Sequence, residues 1–164
     1  MSIYIRIFGA VFIMLSALFI GREYSRFSDK RIGELRGFLL FVRHVGGRVS
    51  NYLSFGNELF WGFECGELES VGFLSHLREG KSLYESFMLC CPRLSIPLAQ
   101  KEALKEFFHT FGNDYREGEL EKITAFLEKY EKEAERECEN MTKSLRVTRA
   151  LLLGGALWVG IMVM

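Results

Sequence analysis

The residues best placed to do chemistry lie in one short stretch, Phe111 to Glu119. It gathers Asp114, Arg116, Glu117 and Glu119 around Tyr115, with glycines at Gly112 and Gly118. Mixed charge beside a phenol suits a specific polar contact with another macromolecule. A loop held between two helices is also where function commonly resides. The same residues admit a plainer use: Gly112 and Gly118 make the turn, and Arg116 and Glu117 dress the first turn of the next helix. Nothing else has the spacing of a reactive centre. His44, His76 and His109 fall on three separate predicted helices, none with a second ligand at i+3 or i+4. Cys65, Cys90, Cys91 and Cys138 form no C-x-x-C pair and read as reduced thiols, with Cys138 a small hydrophobe on a helix stripe. The vicinal pair Cys90-Cys91 beside Pro92 reads as packing rather than a redox switch. The carboxylates of Glu131 to Glu139 are interspersed with Lys132 and Arg136, the pattern of a solvated helix face rather than a cation site. There is no G-x-S-x-G, H-E-x-x-H, Walker A or G-x-G-x-x-G sequence. No catalytic, cofactor-binding or metal-binding residue is expected, and the chain is expected not to be an enzyme.

The elements that hold this stretch are helical. In 164 residues only two prolines occur, and no alternating strand-like run of any length is present. The fold class expected is all-α. After the stretch, Leu120, Ile123, Leu127, Tyr130, Ala134, Cys138, Met141 and Leu145 recur at helical steps on one apolar stripe. Glu128 with Lys132 and Glu139 with Lys143 stand at i,i+4 in the favourable orientation. No proline follows Arg116, so one helix is expected to run from there to the C-terminus, about 70 Å at 1.5 Å per residue. Its end, Ala150 to Met164, is wholly apolar.

Before the stretch, Leu104, Phe107, Phe108 and Phe111 mark the buried face of a helix begun near Ser95 and Pro97. Ser82 and Glu85 match a capping box opening a helix that carries Leu83, Phe87 and Cys91 and ends before Pro92. Glu67 to Glu79 reads as one helix with Val71, Leu74 and Leu77 inward, stopped by Gly80. Ser54 to Gly66 gives no clear element beyond a short helix capped by Asn57 and carrying Leu59, Phe60 and Phe63. Ile32, Leu35, Leu39, Val42, Gly46, Val49 and Leu53 form a further stripe, with Ser28 or Asp29 restarting the helix ahead of it. Gly46-Gly47 weakens that helix unless the glycines admit a neighbour closely.

The N-terminal run Ile7 to Gly21 is apolar, and Arg22, Arg26, Lys30 and Arg31 follow it rather than precede it. That order favours an uncleaved anchor over a signal peptide. Lys143, Arg146 and Arg149 similarly precede the C-terminal apolar segment. Positive flanks stay on the cytoplasmic side, so both termini are expected outside. The layout expected is a transmembrane anchor over 1–21, a cytosolic helical bundle of about six helices over 22–149, and a transmembrane segment over 150–164. The formal net charge is zero, so no overall basic field attracts nucleic acid.

This layout, with Phe111-Gly112-Asn113-Asp114-Tyr115-Arg116-Glu117-Gly118-Glu119 between two helices, resembles the stage III sporulation protein AB family over essentially the whole chain. That family's loop typically reads Leu-Gly-x-x-Asp-x-x-Gly-Gln. Phe111, Gly112 and Gly118 fall in step with it. Tyr115 stands at the family's Asp, with Asp114 one place early, and Glu119 stands at its Gln. Lys143-Ser144-Leu145 resembles the approach to the second anchor, with Arg146 where the family has Gly. The resemblance implies a helical domain like that of type II secretion F-component platform proteins. It further implies membership of the mother cell–forespore channel, with a secretion-type ATPase and other channel membrane proteins as partners and the mother-cell membrane as location. Two other classes fit the residues: a pilus or secretion platform outside sporulation, and a membrane-anchored sensor or scaffold with an unrelated partner.

Overall fold

The computed structural model describes residues 3–51, 57–112 and 115–163. Among them are six α-helices, two 3-10 turns and no strand. The helices are α1 (Ile3–Asn51), α2 (Gly66–Ser70), α3 (Phe73–Arg78), α4 (Leu83–Cys90), α5 (Leu98–Thr110) and α6 (Arg116–Val163), with 3-10 turns at Asn57–Phe60 and Cys91–Arg93. The all-α expectation holds. Helix α1 runs unbroken for 49 residues. The expected restart at Ser28 or Asp29 does not occur, because Ser28 is buried inside the helix rather than capping one. The chain divides into two units, Lys30–Arg136 and Met1–Asp29 with Glu137–Met164, so α1 and α6 each contribute to both.

In the unit Lys30–Arg136, α1 is covered on more of its circumference than one stripe. Leu35, Val42 and Val49 are buried as their spacing predicts, and so are Phe38, Phe41 and Val45. These lie on a second row that faces the short helices. Phe38 and Phe41 meet Phe73 of α3 edge-on at 5.2 and 5.1 Å between ring centroids. Phe108 of α5 stacks on Phe73 at 5.7 Å, and Phe87 of α4 stands 5.4 Å from Phe108. Edge-on and offset pairs suit the ring quadrupoles and add about 0.5–1.5 kcal/mol each beyond burial. From α6, Ile123 and Tyr130 complete this core, and Phe126 stacks on Phe107 at 4.3 Å. The buried face of α6 is the one its spacing predicts.

Close approach to α1 depends on missing side chains. A Cβ at Gly46 would stand 3.0 Å from Ile123 Cγ2, whereas one at Gly47 would meet nothing within 4 Å. The expected close approach therefore belongs to Gly46 alone. The same device recurs at Gly37, where a Cβ would meet Cys65 Sγ at 3.0 Å and Leu68 Cγ at 3.1 Å.

The segment read as one helix, Glu67 to Glu79, is two. It breaks at Gly72, whose φ of 88° lies in the left-handed region that glycine adopts freely. The reason is geometric. At 100° per residue, Leu68 and Leu77 would point to opposite sides of a straight helix. The break lets both reach the core, together with Val71, Phe73 and Leu74. Downstream, the Ser82–Glu85 capping box forms as its sequence predicts, with Glu85 N–H donating to Ser82 Oγ and Ser82 N–H to the Glu85 carboxylate. Cys90, not Cys91, takes the buried position, because Cys91 already belongs to the 3-10 turn. Pro97 stands at the N-terminus of α5, but Ser95 is not its cap. Leu53 and the stretch 54–56 lie outside the described residues.

In the unit Met1–Asp29 with Glu137–Met164, the two long helices meet at a polar contact. The Tyr24 hydroxyl and Ser144 Oγ are 3.1 Å apart, and Ser28 and Met141 are buried. Toward the ends, large apolar side chains face outward, among them Phe8, Phe12, Leu15, Phe19, Leu151 and Trp158. Among the described residues no helix is long and apolar enough to cross a membrane. The expected transmembrane helices over 1–21 and 150–164 therefore have no support from the fold. The apolar runs 7–21 and 150–164 hold 15 residues each. Such a run reaches about 22 Å, against a hydrocarbon core of about 30 Å.

Candidate docking site

The stretch Gly112 to Glu119 joins α5 to α6, and the structure divides its residues by direction. Helix α5 ends at Thr110, with the Phe111 N–H bonded to the Phe107 carbonyl. Gly112 then turns the chain with φ 90° and stands in open space, where a Cβ would meet nothing within 4 Å. Asp114 lies outside the described residues. Tyr115 is 93% exposed, and Glu117 is also exposed. These two side chains are available to a partner.

Arg116 and Glu119 are not. The Arg116 guanidinium donates from Nε to the Val49 carbonyl at 3.0 Å and from a terminal nitrogen to the Ser50 carbonyl. These are among the last carbonyls of α1, which have no partner within their own helix and attract a cation at the negative end of the helix dipole. Arg116 is thus a tether between α6 and the end of α1. Glu119 is fully buried, with Lys122 Nζ 3.4 Å from its Oε1. Lys122 also donates to the Thr110 carbonyl at 3.2 Å, so it ties the end of α5 to the first turns of α6. The stretch therefore holds an outward pair at Tyr115 and Glu117 and inward structural groups at Arg116 and Glu119, although its sequence suggested Arg116 and Glu117 together as first-turn residues.

Beside it, a groove of about 260 Å³ runs between α5 and α6, lined by Phe107, Thr110, Lys122, Phe126, Tyr130 and Glu133 among others. Phe126 stacks on Tyr130 at 5.0 Å. Burial pushes the Tyr130 phenol well above its ordinary pKa, aided by Glu133 and Glu34, and no hydrogen bond reaches its hydroxyl among the described residues.

A second polar cluster lies in the core. Glu34 of α1 is fully buried. Ser95 N–H donates to its Oε2 at 2.6 Å, and Lys30 Nζ stands 3.7 Å from Oε1. Lys101 donates to the carbonyls of Cys91 and Leu94 at 3.1 and 2.8 Å. Together these groups meet the Ser95 N–H and the Cys91 and Leu94 carbonyls of the connector between α4 and α5. Burial raises the Glu34 pKa, and the backbone N–H groups of Ser95 and Ile96 with Lys30 and Lys101 only partly offset it. Cys90 lies nearby, its thiol pushed up to about 12 by burial with Cys91 and Glu34 adding to the shift. A protonated, enclosed thiol is a poor nucleophile. The Glu34 signal was present in the sequence. Glu34, Phe38, Phe41 and Val45 follow helical steps, so a carboxylate occupies an otherwise apolar row.

All four cysteines are free. His44 packs on Phe63 with ring centroids 5.3 Å apart, its pKa lowered by burial and by Arg48. His76 stands 3.4 Å from Glu79, and His109 meets the Tyr84 ring at 5.2 Å. Among the described residues, no group of three His, Cys, Asp or Glu side chains could hold a metal ion. No family model, curated protein or solved structure matches this chain.

Proposed function

We propose that this chain is a non-enzymatic, membrane-anchored platform component of the mother cell–forespore channel, coupling a secretion-type ATPase to that channel. In this reading the unit Lys30–Arg136 lies in the cytoplasm. The ends of α1 and α6 enter the bilayer, with snorkelling arginines or local thinning closing the short span. The observation that supports attachment is the outward apolar surface of the long helices, with Phe8 75% and Phe12 66% exposed. Exposed apolar surface on this scale marks a membrane or protein interaction. The assignment to the sporulation channel rests on the resemblance of residues 111–119 and of the layout to the stage III sporulation protein AB family. The docking surface proposed for the ATPase is Tyr115 with Glu117 and the adjoining α5–α6 groove.

Affinity capture tests this reading. The tagged full chain, solubilised from sporulating cells, should retain a secretion-type ATPase identified by mass spectrometry. Tyr115→Ala with Glu117→Arg should weaken capture by about tenfold or more, the effect of losing about 1.4 kcal/mol, while helicity and melting stay unchanged. Full retention by the folded double variant removes this surface from the proposal. Absence of any such ATPase from the native capture removes the function. Topology is read separately with single cysteines. Labelling near Arg26 and Lys143 by an impermeant reagent in intact cells would overturn the cytoplasmic placement.

A further inference from the structure

The unit Met1–Asp29 with Glu137–Met164 carries a band of basic side chains where its outward apolar surface begins. Three features define the band. The Tyr24–Ser144 contact, at 3.1 Å, sets these two positions of α1 and α6 at the same level. At 100° per residue, Arg22 and Arg26 then lie on the side of α1 turned away from Tyr24, and Arg146 on the side of α6 turned away from Ser144. Arg22, Arg26, Lys143 and Arg146 are all exposed. Their internal neutralisation is partial. Arg26 pairs with Glu23 at 3.1 Å and Lys143 with Glu139 at 3.4 Å. Among the described residues no ion pair or hydrogen bond engages Arg22 or Arg146. Exposed Phe19 and Ile20 adjoin the band on α1, and Val147 and Leu151 adjoin it on α6. Tyr24 is exposed at this level, a residue type enriched at membrane interfaces.

We infer that this collar selects anionic phospholipid, with Arg22, Arg26 and Arg146 binding headgroup phosphates around the helix pair. The inference rests on the membrane attachment proposed above and adds a lipid class to it. The occupant follows from charge and apolarity together. A guanidinium binds phosphate in a bidentate geometry, and clustered cations beside an inserted helix attract anionic headgroups. A soluble anion would satisfy the arginines but would leave the adjoining apolar rows in water. Lys143 extends the collar at lower strength because Glu139 already engages it.

Lipid selectivity can be read directly on the full chain. The protein is reconstituted in phosphatidylcholine vesicles holding a trace of spin-labelled phosphatidylglycerol or spin-labelled phosphatidylcholine. The motionally restricted fraction gives their relative association. Phosphatidylglycerol should be preferred about threefold or more at low salt, and added salt should erase the preference by screening. Arg22→Gln, Arg26→Gln and Arg146→Gln together should bring the ratio near one. The matching Arg→Lys triple variant should keep most of it, which separates charge from misfolding. A restricted component with no preference in the native protein overturns the lipid selectivity and leaves membrane attachment standing. A preference that survives the Gln variant overturns the assignment to these arginines. No restricted component with either lipid overturns the attachment itself.

Discussion

Helices α1 and α6 are the same two elements in both units, yet their aromatic side chains meet opposite fates. In the unit Lys30–Arg136, Phe38 and Phe41 are fully enclosed by rings from α3, α4 and α5. In the other unit Phe8, Phe12 and Phe19 face outward. Both stretches of α1 carry phenylalanine at helical spacing, although the first is uncharged from Ile7 to Gly21 and the second carries Lys30, Arg31, Glu34, Arg36, Arg43 and Arg48. The difference lies in what covers them, four short helices and two 3-10 turns in one case and no further described element in the other. A long helix is therefore a spine whose apolar rows are finished by whatever is added around it. In one unit the addition is protein, and in the function proposed it is lipid in the other.

Substitution of one phenylalanine in each unit tests this contrast most strongly. Phe41→Ala should destabilise the unit Lys30–Arg136 by about 3 to 5 kcal/mol, as removal of an enclosed ring does. Phe12→Ala should change the denaturation midpoint of the detergent-solubilised chain by less than about half a kcal/mol. Equal midpoints in urea titrations followed by near-ultraviolet circular dichroism would erase the distinction.

The connection from α5 to α6 gives the next largest effect. Arg116→Ala removes the donors at the end of α1 and should cost about 1 to 2 kcal/mol, whereas exposed Glu117→Ala should cost less than about half a kcal/mol. Thermal melting of the two variants decides whether Arg116 is a tether. Charge reversal at Arg116 would thus report on folding as well as on docking, which is why Tyr115 and Glu117 are the cleaner probes of a partner.

Glu34 sharpens the contrast through pH. Its folded pKa lies above the ordinary carboxylate value of 4.5 because burial disfavours the ion. Between these values the folded state holds more protons than the unfolded state, so this group's contribution falls as pH rises. Where the carboxyl is ionised, its burial is a net cost. Glu34→Gln should therefore gain over the native protein as pH rises above the ordinary carboxylate range and lose that advantage as pH falls toward it. A stability difference that does not change as pH rises from the ordinary carboxylate range would contradict the raised pKa.

The smallest effect concerns adjacent glycines. Gly47→Ala has open space before it and should stabilise α1 by about 0.5 to 1 kcal/mol through helix propensity. Gly46→Ala should show no such gain, because its Cβ would press on Ile123. Matching gains at both positions would mean that α6 does not approach α1 at Gly46.

What the sequence determined by itself is what local chemistry controls. The apolar stripe of α6, the Ser82–Glu85 capping box, the stop at Gly80 and the outward Tyr115 follow from residues within a turn or two of one another. Period and cap are short-range properties, and they were legible. The break at Gly72, the use of Gly46 but not Gly47, and the inward turn of Arg116 and Glu119 depended on residues far along the chain. Arg116 finds its acceptors on Val49 and Ser50, and Glu34 finds its donor on Ser95. A side chain's charge is written in its own position, but whether that charge meets water or a distant backbone group is set only when the helices pack. Tertiary structure decided that Arg116, Glu119 and Glu34 turn inward rather than to water.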